Sequence, residues 1–240
     1  MIGILVELLI SWILLRLLEK QNLTAIGIEL SSQRLKYIGV GLLLPIFYYS
    51  ILFMVLSYVG KNPYYLSNNY TLANFLEAAW YVFKSVAFET LIFQGALLYL
   101  LIKHFGTTKA ILISAILFGI YHWFSWNLFG QLSAMIITFL TTGIMGYVWA
   151  LAFDKSKSIY LPFALHLGSN FTSMVLFSKD KNIGQQLFIQ TYTADPYSPG
   201  TIISILLLLC YYIGFPLLLF LYLKKIHYSI EMDKNFTTTN

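Results

Sequence analysis

Residues 201–223, TIISILLLLCYYIGFPLLLFLYL, run for twenty-three positions without one Asp, Glu, Lys, Arg or His. As a helix this stretch is about 35 Å long, enough to cross the ~30 Å hydrocarbon core of a bilayer. Six further stretches read in the same way: 2–18, 37–59, 85–102, 110–126, 131–153 and 159–178. They are solidly apolar rather than alternating, which excludes a transmembrane β-barrel. The expectation is an all-α, polytopic membrane protein of about seven transmembrane helices, with residues 1–240 forming a single transmembrane domain. Thr71–Lys84 is an amphipathic lead-in that lies at the interface or prolongs the third helix. Pro45 and Pro216 fall inside spans, where neighbouring helices make kinks tolerable.

The composition agrees. Hydrophobic residues make up 58% of the 240 and charged residues 10%, against roughly 25% charged in a soluble domain. With a mean hydropathy of +0.72 there is too little polar surface for a water-soluble, disordered or nucleic-acid-binding chain. The net charge of +5 therefore reads as an orientation signal. Cys210, the single cysteine, has no partner for an intrachain disulfide and is a small apolar filler. No basic residue precedes the first span and no A-x-A-like site follows it, so a cleaved signal peptide is not expected.

Basic residues near the span ends are unevenly divided. Arg16, Lys20, Arg34, Lys36, Lys103, Lys109, Lys155, Lys157, Lys224, Lys225 and Lys234 fall on one side; Lys61, Lys179 and Lys181 fall on the other, with Lys84 left over near a span end. The positive-inside rule then puts the N-terminus outside and the C-terminus in the cytoplasm of a multi-pass cell-membrane protein.

An ionisable group at mid-membrane costs roughly 2.5–3.5 kcal/mol on insertion scales, so each one is a functional candidate. Measured from the basic end at ~1.5 Å per residue, Glu89 lies ~20 Å deep, His122 ~18 Å, His166 ~10 Å and Asn170 ~16 Å. His166 and Asn170 are four apart and share a helix face. Three helices can thus aim a carboxylate, two imidazoles and a carboxamide at one point. The plainer alternative is interhelical hydrogen bonding by either histidine, or a structural Glu89–His122 pair. Glu7, Glu77 and Lys84 read as residues near span ends that snorkel, and His104 and His227 as interfacial.

These residues sit in recognisable motifs. Phe88-Glu89-Thr90-Leu91-Ile92-Phe93-Gln94-Gly95 resembles the E-E-x-x-F-R-G motif of the CAAX protease and bacteriocin-processing family (CPBP, or Abi). Phe118-Gly119-Ile120-Tyr121-His122 is similar to its F-x-x-x-H motif, and His166-Leu167-Gly168-Ser169-Asn170 to its H-x-x-x-N/D motif. Motif order and spacing also agree, over a CPBP/Abi-like catalytic core at residues 75–178. The resemblance implies a glutamate-dependent intramembrane endopeptidase. Glu89 would be the base activating water, His122 would help to hold that water, and His166 and Asn170 would stabilise the oxyanion. The chemistry is consistent, because a desolvated carboxylate is a stronger base than a hydrated one. Two positions depart from the pattern: Thr90 stands for the second Glu and Gln94 for the Arg. At i and i+4 these would be an ion pair, and the double change leaves a neutral pair still able to hydrogen-bond. Its loss bears on activity, since the pair would position the catalytic helix.

Two function classes follow. One is an endopeptidase acting on a membrane-associated or lipidated peptide or protein in the lipid bilayer. The other is a catalytically inactive member binding a peptide or partner, of the bacteriocin-immunity type. A transporter or receptor is a lesser alternative; a retinal protein would need a lysine in residues 201–223, which have none. No cofactor and no nucleic-acid partner is expected. Zinc held by Glu89, His122 and His166 has the right donor types, but H-E-x-x-H is absent, and a metal-free carboxylate mechanism is preferred.

Overall fold

The computed structural model describes residues 2–177, 186–190 and 197–226. The helices in chain order are α1 (Ile2–Glu19), α2 (Ser32–Val59), α3 (Leu72–Gln94), α4 (Ala96–Phe105), α5 (Thr107–Ser125), α6 (Leu132–Ser156), α7 (Tyr160–Asn170), α8 (Thr201–Leu209) and α9 (Phe215–Lys225). Wide-turn segments continue α7 through Phe171–Leu176 and join α8 to α9 through Cys210–Gly214. Among the described residues the only sheet is a two-residue antiparallel pairing, Tyr65 with Ile189 and Leu66 with Phe188. Among the described residues, all seven apolar stretches are mainly helical. Five helical runs among the described residues are long and apolar enough to cross a membrane: Ser32–Val59, Leu72–Phe105, Thr107–Ser125, Leu132–Ser156 and Thr201–Lys225. Of the other two, α1 carries Glu7, Arg16 and Glu19, and α7 is short before it widens. His227, Lys179, Lys181 and Lys234 lie outside the described residues.

The lead-in before Lys84 prolongs the helix. Thr71 caps α3 by accepting from the Asn74 amide at 3.2 Å, while the Asn74 side chain accepts from the Thr71 amide at 2.9 Å. This reciprocal cap satisfies two donors that a helix start otherwise leaves open.

The 85–102 stretch is not one straight helix. It breaks at Gly95, where a Cβ would lie 2.2 Å from the Leu91 carbonyl oxygen. A break in an apolar environment must find partners for the freed backbone groups. Ser114 of α5 supplies one, donating to the Phe93 carbonyl at 2.7 Å.

Small residues bring the other helices close. In α2, Tyr37, Gly41, Pro45 and Tyr49 make a buried stripe at every fourth position. A Cβ on Gly41 would lie 2.7 Å from Ala164 Cβ, and one on Gly168 would lie 2.6 Å from the Leu42 carbonyl. The α2–α7 crossing is therefore set by glycine, as membrane helix pairs often are. Between α5 and α6 each helix receives a ring on a glycine: Phe139 on Gly119 and Phe118 on Gly146. The outer faces stay apolar, with Leu43, Phe47, Ile137 and Leu206 exposed, as lipid contact requires.

Candidate functional site

Buried positions on α3 recur as Ala78, Val82, Val86, Glu89 and Phe93, one face at helical spacing. Ala78, Val82 and Val86 pack with Val175, Phe163, Leu167 and Phe171 of the α7 region. That packing sets Glu89 against His166. The Glu89 Oε2 to His166 Nε2 distance is 3.7 Å, and the two side chains are 12% and 2% exposed. Ser85, one turn back, donates to Glu89 Oε1 at 3.3 Å. Asn170, one turn on from His166, places its amide nitrogen 3.2 Å from His166 Nε2.

The His166 ring is held on its flat side. Trp149 of α6 stacks on it with centroids 3.8 Å apart and planes 19° apart, and Phe118 meets it edge-on at 6.0 Å. Just after Asn170 the helix widens, and hydroxyls bridge the loosened turns: Thr172 donates to the Gly168 carbonyl at 2.8 Å and Ser173 to the Ser169 carbonyl at 2.9 Å. Wide turns of this kind recur at functional sites, where they re-aim side chains.

His122 is placed differently. It is buried on α5, with Nδ1 2.8 Å from the Phe118 carbonyl one turn earlier. Its ring packs on Phe118 at 4.6 Å and edge-on to Trp126 at 5.1 Å. Phe118 thus touches both histidines. Among the described residues, however, Glu89 makes a carboxylate–imidazole contact with His166 and not with His122. Nor do Glu89, His122 and His166 form a three-donor group able to hold a metal ion; none exists among the described residues. The donor types suit zinc, but the three residues are not brought together as one site.

One expectation needs correction. Thr90 and Gln94 are buried, at 1% and 0% exposure, yet Thr90 Oγ1, Gln94 Oε1 and Gln94 Nε2 have no hydrogen-bond partner among the described residues. Spacing of i and i+4 aligns two Cβ atoms but does not close a bond between short side chains. Glu7 lies in the first third of α1, half-buried, with Oε2 buried and unpartnered. Sequence reasoning missed Ser85 and Trp149. The i, i+4 spacing to Glu89 was a readable signal for Ser85, whereas nothing in the chain marks Trp149.

Residues 71–172 match the model of a family described as type II CAAX prenyl endopeptidase Rce1-like. The match covers α3 through the first turn after α7, and so takes in Glu89, His122, His166 and Asn170. It supports assignment to the CAAX protease family. Neither a curated protein nor a solved structure matches the chain.

Proposed function

We propose that this chain, matched over residues 71–172 to the type II CAAX prenyl endopeptidases, is an intramembrane endopeptidase in which Glu89 activates water. The observation that carries the reading is the buried contact of Glu89 with His166 at 3.7 Å, with Asn170 3.2 Å behind it. A water beside Glu89 Oε2 gives its proton to the carboxylate as its oxygen attacks the scissile carbonyl. The C–N bond then breaks, and Glu89 returns the proton to the leaving amine. When His166 is protonated on Nε2 its contact with the Asn170 amide is released, and that N–H and an Asn170 amide N–H both donate to the developing oxyanion. His122 helps to hold the water through Nε2, its Nδ1 being engaged by the Phe118 carbonyl. The catalytic core lies within residues 75–178 of a single transmembrane unit. The excess of basic residues at one set of span ends supports a cytoplasmic C-terminus.

The unpartnered Thr90 and Gln94 favour a second reading, a peptide-binding protein without catalysis. One experiment separates the two: compare the cellular peptides of cells carrying wild-type protein and Glu89→Gln. The protease reading expects a cleavage product that the variant lacks. Identical peptide sets would leave the binding reading.

A further inference from the structure

Helix α1 was not part of the motif-bearing region, yet it lies along α3 and α4. Its far end is pinned: Glu19 meets Lys103, and His104 Nε2 is 2.8 Å from Glu19 Oε1. Its near end is pinned too, because a Cβ on Gly3 would lie 3.2 Å from the Phe88 ring. The two helices therefore run in parallel and in register. Counted from the Gly3–Phe88 approach at ~1.5 Å per residue, Glu7 lies ~6 Å and Glu89 ~1.5 Å further along, less than one helical turn apart in level. Glu7 is one turn from Gly3, so it faces the same side of α1 that meets α3.

Tyr121 of α5 packs its ring on Phe93 of α3 at 5.3 Å and edge-on to His122 at 5.4 Å. Among the described residues Glu7 makes no ion pair, and its Oε2 is buried without a hydrogen bond. An unpaired carboxylate at this depth is costly, and such groups face cavities and pathways that bring a counter-charge. None of the described lysines, arginines or histidines supplies one here.

We propose that Glu7 is a specificity-determining residue that receives a cationic nitrogen of the substrate, a lysine or arginine side chain or a free α-amine, beside the scissile bond. The inference rests on the proposed protease reading. Glu7 comes from α1, outside residues 71–172, and so adds a selectivity element that the matched region does not contain.

The test uses full-length protein in lipid nanodiscs and a library of membrane-inserted peptides differing at one position near the cleaved bond. One arm has acetylated N-termini with Lys, Arg, Gln or Leu at that position; the other has free N-termini with Leu there. Wild type should favour the cationic members of one arm by about tenfold or more in kcat/KM, and the favoured arm tells side chain from α-amine. Glu7→Gln should bring that ratio close to one, mainly through KM, and Glu7→Lys should invert it. Glu7→Gln should fold, because it removes an unpaired buried carboxylate, and the ratio of Glu7→Lys is read on protein whose unfolding midpoint shows that it is folded. A wild type that cleaves without discriminating, or a Glu7→Gln variant that keeps the full ratio, overturns this inference alone. Undiminished cleavage by Glu89→Gln, or no cleavage of any peptide by wild type, overturns the protease reading and this inference with it.

Discussion

Glu89 and Thr90 are neighbours in sequence, but α3 turns about 100° between them, and they meet different surroundings. On the Glu89 side the polar side chains meet one another, with Ser85 on one oxygen, His166 near the other, Asn170 behind His166 and Trp149 stacked over it. His166 Nδ1 and Trp149 Nε1 are without hydrogen bonds among the described residues. The Thr90 side is just as buried and has no hydrogen bonds, its hydroxyl and the whole Gln94 carboxamide being without partners. One face of the helix is organised around an ionisable group. The other keeps the polarity of an ion pair without the charges. Burial alone does not make a site; the difference is whether the buried polar groups meet one another.

The largest effect should follow from returning one charge to the silent face. Thr90→Glu or Gln94→Arg alone should destabilise the protein by roughly 3–5 kcal/mol, since each buries a charge without a partner. The double variant should recover much of that loss, with a coupling above about 1 kcal/mol in a double-mutant cycle of detergent unfolding. Additive changes would show that the two positions cannot meet.

On the organised face, His166→Gln should slow cleavage by about 10²–10³-fold through loss of oxyanion stabilisation. An unfolding midpoint close to that of wild type would separate this loss from misfolding. A variant within threefold of the wild-type rate would remove His166 from the chemistry.

A smaller change of opposite sign is expected from Thr90→Val with Gln94→Met. Removing buried atoms that lack partners should stabilise the fold by about 1–3 kcal/mol. Destabilisation would mean that these atoms are satisfied after all, and that the two faces are less different than their contacts suggest.

Much of this was legible in the chain. Apolar runs locate helices because lipid leaves the backbone no other way to satisfy itself, and the i, i+4 spacing of His166 and Asn170 became a real contact. The break at Gly95 was hidden, because the run stays apolar across it and hydropathy carries no record of a kink. Depth counting brought Glu89 and His122 to the same level, but level is not contact, and the contact goes to His166. The pairing of Thr90 with Gln94 failed for the same reason, since spacing aligns positions and not side-chain atoms. Trp149 could not have been chosen from among five tryptophans, because its stacking on His166 depends on how α6 crosses α7.

The most direct measurement compares neighbours: cleavage of one membrane-inserted peptide by wild type, Glu89→Gln and Thr90→Val, each in nanodiscs. Glu89→Gln should lose at least about 10²-fold in kcat, the scale of a general base, while keeping its unfolding midpoint, and Thr90→Val should stay within a few-fold of wild type. Equal activity of Glu89→Gln and wild type, or equal losses at both positions, would contradict the assignment of the chemistry to the Glu89 face.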